Sequence, residues 1–151
     1  MTENFYYKSP IGILEIKLEK ETIFELKVIE FCEKLSTQSG YFKIIAKQLD
    51  EFFAGKRTDF DLRICPKGTD FQKEVWKELR KIPYGKTKSY QEIAAAIGKP
   101  NAQRAVGLAC NKNPILLIIP CHRVISKSGK LTGFAYGLDV KEKLLKLENS
   151  I

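Results

Sequence analysis

Ser89-Tyr90-Gln91-Glu92-Ile93-Ala94-Ala95-Ala96-Ile97-Gly98-Lys99-Pro100-Asn101-Ala102-Gln103-Arg104-Ala105-Val106-Gly107-Leu108-Ala109-Cys110-Asn111-Lys112 carries the strongest local pattern in the chain. Ser89 with Glu92 three residues on has the form of a capping box, so a helix starts there. It is short, and Gly98 ends it. Lys99-Pro100 breaks the chain, and Asn101 is expected to cap a second helix from Ala102 to about Lys112, closed by Asn113-Pro114. Two short helices around a tight glycine-containing corner form a helix-turn-helix pattern. The second helix is narrow: Ala102, Ala105, Gly107 and Ala109 are small. A glycine inside a helix costs about 1 kcal/mol relative to alanine. Such a surface serves either tight helix packing or close approach to a nucleic acid. Arg104 is the long cation of the first turns, placed to bind a phosphate, to enter a base stack, or to sit in solvent.

Downstream, the apolar run Ile115-Leu116-Leu117-Ile118-Ile119 reads as a buried strand that Pro120 breaks. Cys121 and His122, the only histidine, follow directly. A thiol is a weak nucleophile until something favours its thiolate, and imidazole is the side chain suited to do so near neutral pH. A strand at Arg123-Val124-Ile125, a turn at 126–130 and a loop Gly133-Phe134-Ala135-Tyr136-Gly137 come next. Asp139 is expected to cap a last helix with Glu142 as its box partner. That helix turns Val140, Leu144, Leu145 and Leu147 inward. Glu148 lies four residues after Leu144 and three after Leu145, so it shares that side. An inward carboxylate needs a partner, and His122 is the candidate; a frayed, solvated helix end is the alternative.

Upstream, Thr69 can cap a helix that buries Phe71, Val75, Trp76 and Leu79, and Pro83-Tyr84-Gly85 is a turn. Pro66-Lys67-Gly68 reads as a linker after an extended segment from Arg57. Before it, Phe42, Ile45, Leu49, Phe52 and Phe53 recur at helical spacing and Gly55 ends the helix. Tyr6–Ser9 and Ile11–Leu18 alternate around a turn at Pro10-Ile11-Gly12, the mark of a hairpin, and Thr22–Ile29 suggests a third strand. The expected division is a support domain at 1–66 and a second domain at 67–151.

The charge follows that division. Residues 1–68 hold 11 Lys/Arg and 11 Asp/Glu, whereas 69–151 hold 15 Lys/Arg and 7 Asp/Glu, so the whole net charge of +8 lies in the second part. Between Arg80 and Leu138 the only acid is Glu92. A basic region around a candidate nucleophile favours a polyanionic substrate. The 151 residues, 44% hydrophobic and 29% charged, are those of a globular protein. No apolar run approaches the roughly 20 residues that span a bilayer, and the N-terminus lacks a signal pattern. No membrane association is expected, and the chain is read as cytoplasmic. Cys32, Cys65, Cys110 and Cys121 are widely spaced, and one histidine cannot complete a mixed site, so no metal is expected.

Taken in order, these residues closely resemble the O6-alkylguanine-DNA alkyltransferases, also called methylated-DNA–protein-cysteine methyltransferases. The resemblance runs from about Ala46 to Glu148. It is carried by Gln48–Arg57, Thr69-Asp70-Phe71-Gln72, Ile82-Pro83-Tyr84-Gly85, Ser89-Tyr90, Arg104-Ala105-Val106-Gly107, Asn113-Pro114 and Ile119-Pro120-Cys121-His122-Arg123-Val124. It implies an α+β fold: a small N-terminal α/β domain (an RNase H-like sheet plus helix), then a helical C-terminal domain like a winged helix-turn-helix. It implies direct, stoichiometric transfer of the alkyl group from O6-alkylguanine in double-stranded DNA to Cys121, by a monomer and without a cofactor. On that pattern His122 is the base, acting through a water, and Glu148 orients it. Asn113 holds the active-site turn, and Tyr90 donates a proton to the departing guanine. Arg104 fills the gap left by the flipped base, and Ala102, Ala105, Gly107 and Tyr90 meet the minor groove.

One departure from the family pattern is the loop Phe134-Ala135-Tyr136, where the family more often has tyrosine first and glycine third. These three residues are expected to shape the substrate pocket, with methyl adducts accepted and bulky benzyl adducts disfavoured. A Cys-His hydrolase explains neither the charge division nor the helix pair. An alkyltransferase-like binder or a plain helix-turn-helix regulator is the stronger rival, and binding-only relatives lack the cysteine that stands at 121.

Overall fold

The computed structural model describes residues 2–150. The chain forms two units, Met1–Lys67 and Gly68–Ile151.

In the first unit, β1 (Thr2–Ser9), β2 (Gly12–Glu19) and β3 (Thr22–Ile29) make an antiparallel meander in the order β1-β2-β3. Alternation drives it: Leu14, Ile16, Leu18, Ile23 and Leu26 are buried while their neighbours face outward. The helix α1 (Gly40–Phe53) covers the buried side with Phe42, Ile45, Ala46, Leu49 and Phe52. Phe5 stacks on Phe42 with ring centroids 4.6 Å apart. The extended segment after α1 bridges β3 in parallel at Ile23 and Ile64, and Gln48 pins it through both amide atoms to the backbone of Asp61. Gly55 follows α1 at φ +74°, the left-handed stop that glycine takes without a Cβ penalty.

The second unit is built from helices. α2 (Asp70–Leu79) starts at a capping box between Thr69 and Gln72. It buries Val75, Trp76 and Leu79, and the Trp76 indole donates to the Ala109 carbonyl at 2.8 Å. After a two-residue strand, β4 (Lys88–Ser89), the Ser89–Glu92 capping box opens α3 (Tyr90–Ala96). Gly98 makes the corner at φ +77°, and α4 (Gln103–Asn111) follows. The strand β5 (Val124–Ile125) pairs in parallel with β4, and α5 (Leu138–Leu147) closes the unit.

Several local expectations change, among them the strand expected from Arg123, which begins at Val124. Asn101 does not cap α4: the cap position is Ala102, with no side-chain hydrogen bond. Asp139 does not cap α5 either. Gly137 holds that position at φ +96°, and Asp139 lies in the first turn, where its charge faces the positive helix end. The run Ile115–Ile119 is buried throughout but is no strand. It folds into a tight turn, with Ile119 donating to the Ile115 carbonyl and Leu117 at φ +73°. Apolar composition recorded the burial; it could not record the bend, which a side chain elsewhere imposes.

Candidate active site

That side chain is Asn113. Its amide nitrogen donates to the Ile119 carbonyl at 2.7 Å and its amide oxygen accepts from the Ile115 backbone at 2.9 Å, so one residue spans both ends of the turn. The turn delivers the chain into a 3₁₀ turn, Cys121–Arg123, all of it buried. Cys121 is 5% exposed. Burial pushes its thiol up to about 11, although the Asn113 side chain and the Lys141 ammonium both favour the thiolate. At rest it is a thiol.

His122 is fully buried next to it. Its Nε2 lies 2.7 Å from Glu148 Oε2. Burial lowers the imidazole below its ordinary value near 6.5, against the pull of the Glu148 carboxylate. The ring is therefore neutral, and its bond to a carboxylate puts the proton on Nε2. Nδ1 is buried with no hydrogen-bond partner among the described residues, which leaves it as an acceptor.

Glu148 sits at the end of α5, and its carboxylate is held on two sides. Arg123 donates from Nε to Oε1 at 2.8 Å and from Nη2 to Oε2 at 3.0 Å, while Nη1 donates to the Ile82 carbonyl. Burial works against the carboxylate, but the hydrogen bonds and charges of His122 and Arg123 outweigh it and hold the carboxyl down at about 2. The inward-facing Glu148 thus has two partners. The sequence reading supplied His122 and missed Arg123.

Lys141 was missed as well. It is fully buried on α5, with Nζ 2.9 Å from the Thr132 carbonyl and 3.5 Å from the Tyr90 hydroxyl. Burial lowers its ammonium. The Tyr90 hydroxyl donates to the same Thr132 carbonyl at 3.1 Å, and burial raises that phenol. The signal was present, since Lys141 stands three residues before Leu144 and four before Leu145, inside the apolar stripe.

Beside α3 and α4 opens a cavity of about 470 Å³, lined among others by Tyr90, Arg104, Gly107, Leu108, Thr132 and Gly133. Tyr90, Arg104 and Gly107 therefore line one cavity, while the buried Cys121, His122 and Glu148 and the half-buried Asn113 lie outside its lining. Ala102 and Ala105 are half-buried and not among its lining residues. Nor are Phe134, Ala135 and Tyr136: the loop reaches the cavity through Thr132 and Gly133, while Phe134 and Tyr136 pack edge to face with centroids 5.9 Å apart. The small residues of α4 divide their work. Ala109 is buried under Trp76, and Gly107 lies beside the Tyr90 ring, where an added Cβ would stand at an ordinary contact distance of 3.8 Å. Among the described residues no group of acids, histidines and cysteines could hold a metal ion, and no helix is long and apolar enough to cross a membrane.

Comparison with known proteins accounts for both units. Residues 4–66 match the family domain described as 6-O-methylguanine DNA methyltransferase, ribonuclease-like domain, and residues 70–150 match its DNA binding domain. A methylated-DNA–protein-cysteine methyltransferase of Methanosarcina barkeri is 63% identical over 149 residues, covering 95% of this chain and 94% of that protein. One from Mycobacterium tuberculosis is 48% identical over 147 residues, covering 94% and 89%. The crystal structure of the M. tuberculosis O6-methylguanine methyltransferase superposes with a TM-score of 0.89 at 45% identity, over 99% of this chain and 94% of that one. The same organism's protein in complex with DNA superposes at 0.86, again at 45% identity, over 96% and 91%.

A ribonuclease-like unit followed by a DNA-binding unit with a buried thiol defines a direct-reversal DNA-repair transferase. The chain belongs to the methylated-DNA–protein-cysteine methyltransferase family. It moves an alkyl group from damaged DNA onto a cysteine of its own.

Proposed function

We propose that Cys121 is the acceptor and that the buried set His122, Glu148, Asn113, Tyr90 and Lys141 carries the transfer. The observation that supports this most is geometric: a buried thiol precedes an imidazole whose Nε2 is held by Glu148 at 2.7 Å and whose Nδ1 is buried with no hydrogen-bond partner among the described residues. A flipped O6-alkylguanine enters the cavity. The Cys121 proton passes through a water to His122 Nδ1, and Glu148 stabilises the imidazolium that forms. Sulfur attacks the alkyl carbon and the carbon–O6 bond breaks. Tyr90 gives its proton to the guanine ring, which leaves as neutral guanine, and Lys141 steadies the phenolate until the imidazolium proton returns through water. The thioether does not revert, so each molecule acts once.

Asn113 keeps the turn in place and favours the thiolate. Arg104 enters the stack in place of the extruded base, and α4 lies in the minor groove with Ala102, Ala105 and Gly107 allowing close approach. Arg104, Lys112, Lys127 and Lys130 are exposed with no carboxylate at ion-pair distance among the described residues, which suits a phosphate backbone. Phe134, Ala135 and Tyr136 act on adduct size from behind Thr132 and Gly133, and benzyl adducts react more slowly than methyl ones. Comparable rates on both would remove that role.

One chain holds the whole set, which supports action as a monomer on double-stranded DNA with no cofactor. A free acceptor thiol and three further free cysteines support a reducing compartment, the cytoplasm. The deciding experiment is intact and peptide mass spectrometry after mixing with an O6-methylguanine duplex. One methyl at Cys121, and none in Cys121→Ser, is expected; a methyl at another residue, or none, rejects the assignment.

A further inference from the structure

Five large apolar side chains stand in water among the described residues: Phe31, Leu35, Ile44, Leu108 and Leu138. Single exposed apolar residues are ordinary on a protein surface and carry no meaning alone. Leu108 differs by position. It is 67% exposed on α4 and is the one of the five that lines the cavity beside α3 and α4. Arg104 lies one turn before it and Asn111 about one turn after, all three exposed and on one helix face. Between them stands only Gly107 on the cavity side, so nothing bulky screens Leu108 from whatever meets Arg104.

We propose that Leu108 is a positioning residue for the damaged duplex: it packs on the deoxyribose C–H wall of the minor groove beside the extruded nucleotide and holds the cavity mouth against the strand. The proposal rests on the reading of α4 as the groove helix. Charge and shape support it. The face offers one cation for the stack and one aliphatic group for the apolar sugar edge, in a unit whose net charge already draws it to phosphate. Four residues of helix rise about 6 Å, close to two base-pair steps, so Arg104 and Leu108 engage different steps and do not compete. A leucine has neither donor nor acceptor, so it grips without reading sequence, as a damage-repair protein requires.

The test compares Leu108→Ala, Leu108→Gln and Leu108→Met on an O6-methylguanine duplex and on free O6-methylguanine base, with the wild-type chain and Arg104→Ala alongside. Leu108→Ala and Leu108→Gln are expected to lose about five- to tenfold more rate on the duplex than on the free base, through weaker duplex binding. The slope of binding against salt should hold, because no phosphate contact is removed. Leu108→Met should recover most of the loss. Equal losses on duplex and free base, or wild-type behaviour of Leu108→Ala on the duplex, overturn the contact. If Arg104→Ala also binds and repairs the duplex like wild type, the reading of α4 itself falls, and the contact with it.

Discussion

At the scale of single residues, the chemistry depends on which groups are charged before the substrate arrives. Burial keeps Cys121 protonated and His122 neutral, while the hydrogen bonds of His122 and Arg123 keep Glu148 ionised. Because the imidazole is lowered from 6.5, the acid limb of the transfer rate should be centred below 6.5; a single-turnover rate profile checks this. A decline centred at or above 6.5 would mean that burial does not lower the ring. Stability runs the same way. The unfolded carboxyl takes its proton near 4.5, but the folded Glu148 only near 2, so its contribution is complete above 4.5 and is lost as pH falls through that window. His122 adds loss from 6.5 downward, because the unfolded ring protonates first. Glu148→Gln leaves the Arg123 guanidinium buried without its charge partner, and should cost about 3–5 kcal/mol in denaturant unfolding while removing most of the transfer rate. Tyr90→Phe keeps the ring against Gly107 and removes only the proton; the rate should fall with methyl transfer still detectable at long times.

At the scale of elements, the turn between α4 and the 3₁₀ turn is the part most sensitive to small changes. Asn113→Ala frees two backbone groups and should cost about 1–3 kcal/mol in unfolding and a larger share of activity, since the loss displaces Cys121. Leu117 lies in the left-handed region at a cost of about 1–2 kcal/mol, yet it is 2% exposed. Leu117→Gly relieves the backbone but gives up about 1.5–3 kcal/mol of burial and adds unfolded-state entropy, so thermal unfolding should show net destabilisation. The helix starts were readable wherever a polar side chain does its work within four residues, as at Thr69–Gln72 and Ser89–Glu92. They were misread at Asn101 and Asp139, where the cap is set by the incoming backbone.

At the scale of the whole molecule, charge separates the work of the two units. The first is neutral in net charge and carries none of the proposed site residues; the second holds the net +8 and all of them. Duplex affinity should therefore fall steeply with salt, and neutralising lysines between 80 and 138 should weaken it more than neutralising the same number in 1–68, as measured by fluorescence anisotropy. Equal effects would place the DNA elsewhere.

The chain's order of residues was enough to establish the helix pair, the charge division and the meander, and to single out Cys121-His122 as a candidate pair, because each depends on neighbours within a few positions or on composition alone. Folding decided what sequence spacing leaves open. The partners of Arg123 and of Lys141, whose place in the apolar stripe already points inward, are set only when α5 packs and gives one a carboxylate and the other a carbonyl and a phenol. The run at 115–119 looks like a strand until Asn113 bends it. The neutral thiol and imidazole follow from burial, which is a property of the packed unit rather than of any residue in it.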